Sequence, residues 1–88
     1  MGKPRVALRV PDLDLRDARV TVGQWLVAPR QPVTAGERLV ELLAAGVTVD
    51  LPAPVSGRIV RIVVSEDDVV AVGQTLCWIA PDTEPAED

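Results

Sequence analysis

Histidine, tyrosine and phenylalanine are absent from these 88 residues, cysteine and lysine occur once each, and tryptophan occurs twice. Without histidine, and with a single thiol, the usual transition-metal ligand sets and base–nucleophile pairs lack their parts. No catalysis by this chain itself is expected, and no metal site. Cys77 has no partner for an internal disulfide and lies in the apolar run Leu76-Cys77-Trp78-Ile79, where it reads as a small buried hydrophobe. Thirteen acidic residues against nine basic ones give a net charge of −4, and with no aromatic surface series this argues against nucleic acid as a partner. No run approaches the roughly 20 apolar residues that span a bilayer, so no membrane partner is expected. The start, MGKPRVALRV, is too short and too interrupted for a secretory h-region. The expectation is a soluble, cytoplasmic protein.

What the chain has instead is valine and leucine, sixteen of one and nine of the other. Such β-branched richness favours strands. The length allows one small domain, burying about 60% of its unfolded surface. Residues 1–4 read as a loose end, 5–80 as the domain, and 81–88 (PDTEPAED) as an acidic, proline-containing tail expected to be disordered. Strand-like runs are Val6–Val10, Val20–Val27, Arg38–Ala44, Val47–Leu51, Arg58–Val64 and Thr75–Ala80. Asp12–Arg19 is charge-rich and reads as a surface loop, since Leu13, Leu15 and Ala18 make no helical stripe. Pro29-Arg30-Gln31-Pro32 reads as a turn, in which neither proline can donate to a ladder. Val47, Val49 and Leu51 alternate with Thr48 and Asp50, the period of a half-buried strand, before Pro52-Ala53-Pro54 stiffens the chain.

A repeat emerges at an offset of 37 residues. Val22, Trp25, Val27, Val33, Gly36 and Leu39 match Ile59, Ile62, Val64, Val70, Gly73 and Leu76 in class and spacing. In both halves the apolar spacing steps by three and then by two, which suits a bulge at the same place in each copy. Two copies of a strand-turn-strand unit imply an all-β fold: a flattened β-sandwich of two similar four-stranded antiparallel sheets with pseudo-two-fold symmetry, each burying one apolar face.

Repeat, hairpin and loops together resemble the lipoyl and biotinyl carrier fold, the barrel-sandwich hybrid, and within it the lipoyl domains of 2-oxo acid dehydrogenase acyltransferase components. Val10-Pro11-Asp12-Leu13 resembles their opening Met-Pro-Asp-Leu, and Trp25-Leu26-Val27 their Trp-Leu-Val strand. Val33-x-x-Gly36, Val49-Asp50-Leu51-Pro52-Ala53-Pro54-Val55-Ser56-Gly57 and Val70-Ala71-Val72-Gly73-Gln74 resemble further family segments. Two turns depart from the pattern: Pro29-Arg30-Gln31-Pro32 stands where Gly-Asp is common, and Glu66-Asp67-Asp68 stands at its second copy. So does the hairpin tip. The resemblance sets the family's modified Asp-Lys-Ala against Ala45-Gly46-Val47, preceded by Leu43-Ala44 in place of Glu-Thr. Lipoate is the cofactor expected in the family, but amide formation needs a primary amine, and Gly46 has no side chain. A biotinyl Met-Lys-Met tip is also absent, and the lone lysine, Lys3, lies in the expected loose end.

The reading that results is a non-catalytic, lipoyl-like interaction or scaffold module that is not lipoylated. The tip Leu43, Ala44, Ala45, Gly46 and Val47 is its candidate interaction site, and its partners are subunits of a 2-oxo acid dehydrogenase complex or a second copy of the chain. The bland reading of that tip is a compact two-residue turn in which Gly46 supplies a positive φ and Leu43 and Val47 lean inward. The alternative function is an acyl-group carrier of unconventional form, using Lys3 or a partner's lysine, and a further one is a detached piece of a larger transporter or decarboxylase. Trp25 and Trp78 read as strand-centre packing residues. Arg58 and Arg61 read as a solvated edge with Asp50 or the Glu66-Asp67-Asp68 turn within reach.

Overall fold

The structure is a computed structural model and describes residues 4–14 and 18–82. Lys3, Leu15 and the tail beyond Asp82 therefore lie outside the described residues. Among the described residues there are eight strands: β1 (Val6–Arg9), β2 (Val20–Trp25), β3 (Pro32–Val33), β4 (Arg38–Ala44), β5 (Val47–Pro52), β6 (Gly57–Ile62), β7 (Val69–Val70) and β8 (Thr75–Pro81). They form two four-stranded sheets, β1-β8-β6-β3 and β5-β4-β2-β7, all of whose pairs are antiparallel. The all-β, two-sheet expectation holds.

Strands β2, β3 and β4 recur 37 residues on as β6, β7 and β8, with the same bounds. The hydrogen bonds recur as well. Arg30 N–H donates to the Ile59 carbonyl at 2.7 Å and Asp67 N–H to the Val22 carbonyl at 2.7 Å, while Gly36 and Gly73 take φ of 90° and 87°. Register shifts fall between Val22 and Gln24 on β2 and between Ile59 and Arg61 on β6, equivalent positions in the two halves. A second shift between Arg38 and Val40 lets the successive residues Leu39 and Val40 both turn inward, each at 0% exposure. The shifts at Val22/Gln24 and Ile59/Arg61 are what the three-then-two spacing of Val22, Trp25 and Val27 and of Ile59, Ile62 and Val64 encodes.

The sheets are not the two repeats. Short strand β3 leaves its own half to pair with β6, and β7 leaves its half to pair with β2. Each sheet is thus closed at one edge by two residues from the other half, and the repeats interlock. These strands escape a reading by length, being held by their neighbours rather than by their own propensity. Pro32 enters β3 as its first residue at a sheet edge, a place where a missing N–H costs nothing. Pro81, expected in the tail, is the last residue of β8, and Asp82 N–H donates to the Ser56 carbonyl at 3.0 Å. Leu26 and Val27 fall beyond β2, although Leu26 N–H still reaches the Leu39 carbonyl at 2.9 Å.

One apolar layer lies between the sheets, with Val22, Leu39, Val40, Leu42, Ile59, Leu76, Cys77 and Ile79 at 0% exposure. Among the described residues no buried side-chain N or O lacks a partner. Cys77 is part of this layer, and burial pushes its thiol from 9.0 up to about 11, leaving it protonated and unreactive at neutral pH. Trp25 ends β2 rather than standing at a strand centre. It packs against the core while its indole N–H donates to the Val64 carbonyl at 3.1 Å.

Candidate functional site: the β4–β5 hairpin tip

Leu42 to Val49 holds no charge, no proline and no nucleophile beyond the Thr48 hydroxyl, so what the hairpin tip offers is shape and apolar surface. Ala44 pairs with Val47 across the turn residues Ala45 and Gly46, whose φ of 51° and 77° are both positive. Such a turn matches the right-handed twist of its strands, and Gly46 suits it without steric cost. The compact-turn expectation for Gly46 is met. The inward lean of Leu43 and Val47 is not: they are 41% and 54% exposed, while Ala44 is buried.

Strand alternation and the edge position of β5 explain this. Leu42 and Ala44 turn inward, so Leu43 stands on the outer face of its sheet, opposite Thr48 on one side and Thr21 on the other. Thr21 in turn pairs with Val69, which is 58% exposed. A row Thr48, Leu43, Thr21, Val69 therefore crosses the outer face near the tip. Val47 lies on the inward-facing row of β5, but on an edge strand at the sandwich end, where nothing covers it among the described residues. Thr21 and Val69 lie on neighbouring strands, outside a reading confined to the hairpin, although the alternation of Val20–Trp25 already sets Thr21 opposite the core-facing Val20 and Val22.

At the same end a shallow open groove of about 490 Å³ runs between Asp12, Leu13 and Asp14 and the segment Val70–Val72. Asp12 spends a carboxylate oxygen on Asp14 N–H at 2.8 Å, which shapes the loop. Further along the hairpin, Arg38 pairs with Asp50 at 3.0 Å. Arg58 and Arg61 are both exposed, as a solvated edge requires; Arg58 donates to the Arg30 carbonyl at 2.8 Å, and Glu66 and Asp68 accept from the backbone N–H groups of Trp25 and Ser65, so the ion pairs within their reach are not formed. Among the described residues no cluster of His, Cys, Asp or Glu could hold a metal ion. No helix of the described residues is long and apolar enough to cross a membrane.

A two-sheet sandwich of interlocked repeats with an exposed two-residue hairpin tip defines a domain of the biotinyl/lipoyl type. The chain belongs to the biotin/lipoyl family: the family described as "Biotin-requiring enzyme" matches residues 6–79. It is 39% identical over 69 residues to the dihydrolipoyllysine-residue succinyltransferase component of the 2-oxoglutarate dehydrogenase complex of Bartonella vinsonii subsp. berkhoffii, covering 78% of this chain and 17% of that protein. It is 36% identical over 72 residues to the dihydrolipoyllysine-residue acetyltransferase component of the pyruvate dehydrogenase complex of Corynebacterium glutamicum, covering 82% and 11%. A single-chain, multi-domain long-chain acyl-CoA carboxylase superposes with a TM-score of 0.77 at 28% identity, over 94% of this chain and 8% of that one. The chain thus spans less than a fifth of the length of these relatives. The covalent cofactor of the family does not fit this tip, because Gly46 carries no amine to which lipoate or biotin could be joined.

Proposed function

We propose that this chain is a non-catalytic, non-lipoylated module of lipoyl fold whose hairpin tip, Leu43 to Val47, serves as an interaction surface. The observation that carries the reading is Gly46 at the turn, where the family resemblance sets the modified lysine. Group carriage is the cofactor's chemistry positioned by the protein, and a tip without an amine has nothing to position. The exposure of Leu43 and Val47 supports the second half of the reading, since apolar side chains held out at a tip lose water on docking. Relatives that are components of 2-oxo acid dehydrogenase complexes make subunits of such a complex the partners to test first.

Co-purification of the chain from its own host, with intact-mass analysis of the chain and its companions, tests both halves. The expected result is an unmodified chain accompanied by dehydrogenase-complex subunits. An adduct of about 188 Da, the increment of lipoyl amide formation, would overturn the non-lipoylated reading wherever it sits, Lys3 included. An unmodified chain without companions would leave the tip with no heterologous partner.

A further inference from the structure

Among the described residues four strands form the sheet edges: β1 and β3 in one sheet, β5 and β7 in the other. Three of them are blunted. β1 is bracketed by Arg5 and Arg9 and by Pro4 and Pro11, β3 is two residues long and begins with Pro32, and β7 is two residues long and follows Glu66-Asp67-Asp68. Charges, prolines and shortness are the usual devices against edge pairing. β5 lacks them over Val47-Thr48-Val49, and its one charge, Asp50, is already paired with Arg38.

We propose that two copies of this chain pair antiparallel along β5, with the two-fold axis at Val49. The hydrogen-bond parity of the hairpin carries the argument. Ala44 and Val47 flank a two-residue turn and therefore form a hydrogen-bonded pair. Pairs alternate from there, so Thr48 (opposite Leu43) and Asp50 (opposite Glu41) point their N–H and C=O groups away from β4. Among the described residues no backbone group meets them. Two outward-facing residues flanking one inward-facing residue form a self-complementary edge. With Val49 opposite Val49 of the second copy, Thr48 meets Asp50 of that copy, and each such pair exchanges both backbone hydrogen bonds. On the outer face the Thr48 hydroxyl then lies beside a carboxylate, and no like charges stand directly opposite. Val47, 54% exposed, comes to lie next to Leu51 of the second copy, which explains an apolar side chain left open at an edge. Pro52 has no N–H and ends the match opposite Gly46, limiting it to residues 47–51.

This deepens the interaction reading of the tip by naming a second copy as its partner, and it can fail while that reading stands. Sedimentation of the full chain over a range of concentrations, with amide hydrogen exchange read by NMR, tests it. The expected result is a monomer–dimer equilibrium in which the Thr48 and Asp50 amides gain protection as concentration rises. Thr48→Pro removes an outward N–H without touching a bond to β4, so it should weaken association about tenfold or more while keeping a dispersed spectrum. Val47→Asp should weaken it too. A dimer whose Thr48 and Asp50 amides stay unprotected would overturn the edge pairing and leave another surface of the tip in use. A monomer at every concentration would overturn self-pairing and leave heterologous subunits as the tip's partners.

Discussion

Leu43 lies over Gly23: a Cβ at position 23 would stand 3.0 Å from Leu43 Cγ and 3.2 Å from the Glu41 carbonyl oxygen. The β2 bulge therefore does two things. It lets Val22 and Trp25 both reach the core, and it places the side-chain-free Gly23 beneath Leu43, the most exposed apolar residue of β4. Gly23→Ala should lift Leu43, costing about 1–2 kcal/mol in urea unfolding. In a Leu43→Ala background the same change should cost clearly less, and equal costs in the two backgrounds would show that Leu43 is not what Gly23 accommodates.

Gly57 is constrained more severely. A Cβ there would collide with the Ala80 carbonyl oxygen and lie 2.9 Å from Pro81 Cα, both backbone groups of the paired strand β8 that cannot step aside. Gly57→Ala should destabilise by about 3 kcal/mol or more, read as a drop in the urea midpoint or loss of the folded state. A near-neutral effect would mean that β8 ends before Ala80 in solution.

The turn offers the opposite opportunity. Ala45 sits at φ 51°, a left-handed conformation that costs a residue with a Cβ about 1 kcal/mol. Ala45→Asn should raise stability by about 0.5–1 kcal/mol, measured by thermal unfolding, because asparagine followed by glycine is favoured in such turns. No gain, or a loss, would indicate a different turn.

Cys77 sets an alkaline limit. Its thiol is raised by burial from 9.0 to about 11, so the folded value lies above the unfolded one. The stability this contributes is complete below pH 9.0 and is lost as the pH rises through about 11. With no histidine or tyrosine and one lysine, few other groups titrate in that window. Urea unfolding should show a fall of about 3 kcal/mol across it, flattened in Cys77→Ala. An equal fall in that variant would place the effect elsewhere.

Restoring the family's tip tests the role of Gly46 from the other side. Leu43→Glu, Ala44→Thr, Ala45→Asp, Gly46→Lys and Val47→Ala together, incubated with a lipoate-attaching enzyme, should add about 188 Da, while the parent chain stays unchanged. A parent that is modified, or a restored chain that is not, would show that the tip is not what decides lipoylation.

Most strand positions were legible in residue order, because burial on one face of a strand demands alternation and because the 37-residue recurrence marks the same bulge twice. β4 follows its apolar run from Arg38 to Ala44. The two-residue strands were not legible, since two residues carry no period. Nor was the exposure of Leu43, on the outer face, and of Val47, on the inward row at an open end. Apolar side chains at a turn read equally well as inward, and the burial of Leu42 and Ala44 on either side of Leu43, with no further strand beyond β5 among the described residues, decides the matter.

Residue order alone determined that this chain is all-β, built twice over around one valine-rich layer, and that its hairpin turn carries a glycine without an amine. Those properties are local: strand alternation, turn stereochemistry and side-chain chemistry need no distant neighbour. The tertiary structure alone decided that β3 and β7 cross between the repeats, that Arg38 rather than Arg58 takes Asp50, and that β5, among the described residues, is the edge left open over Val47–Val49. Each of these depends on which strands lie side by side, and that is settled by packing two apolar faces together across residues far apart in the chain.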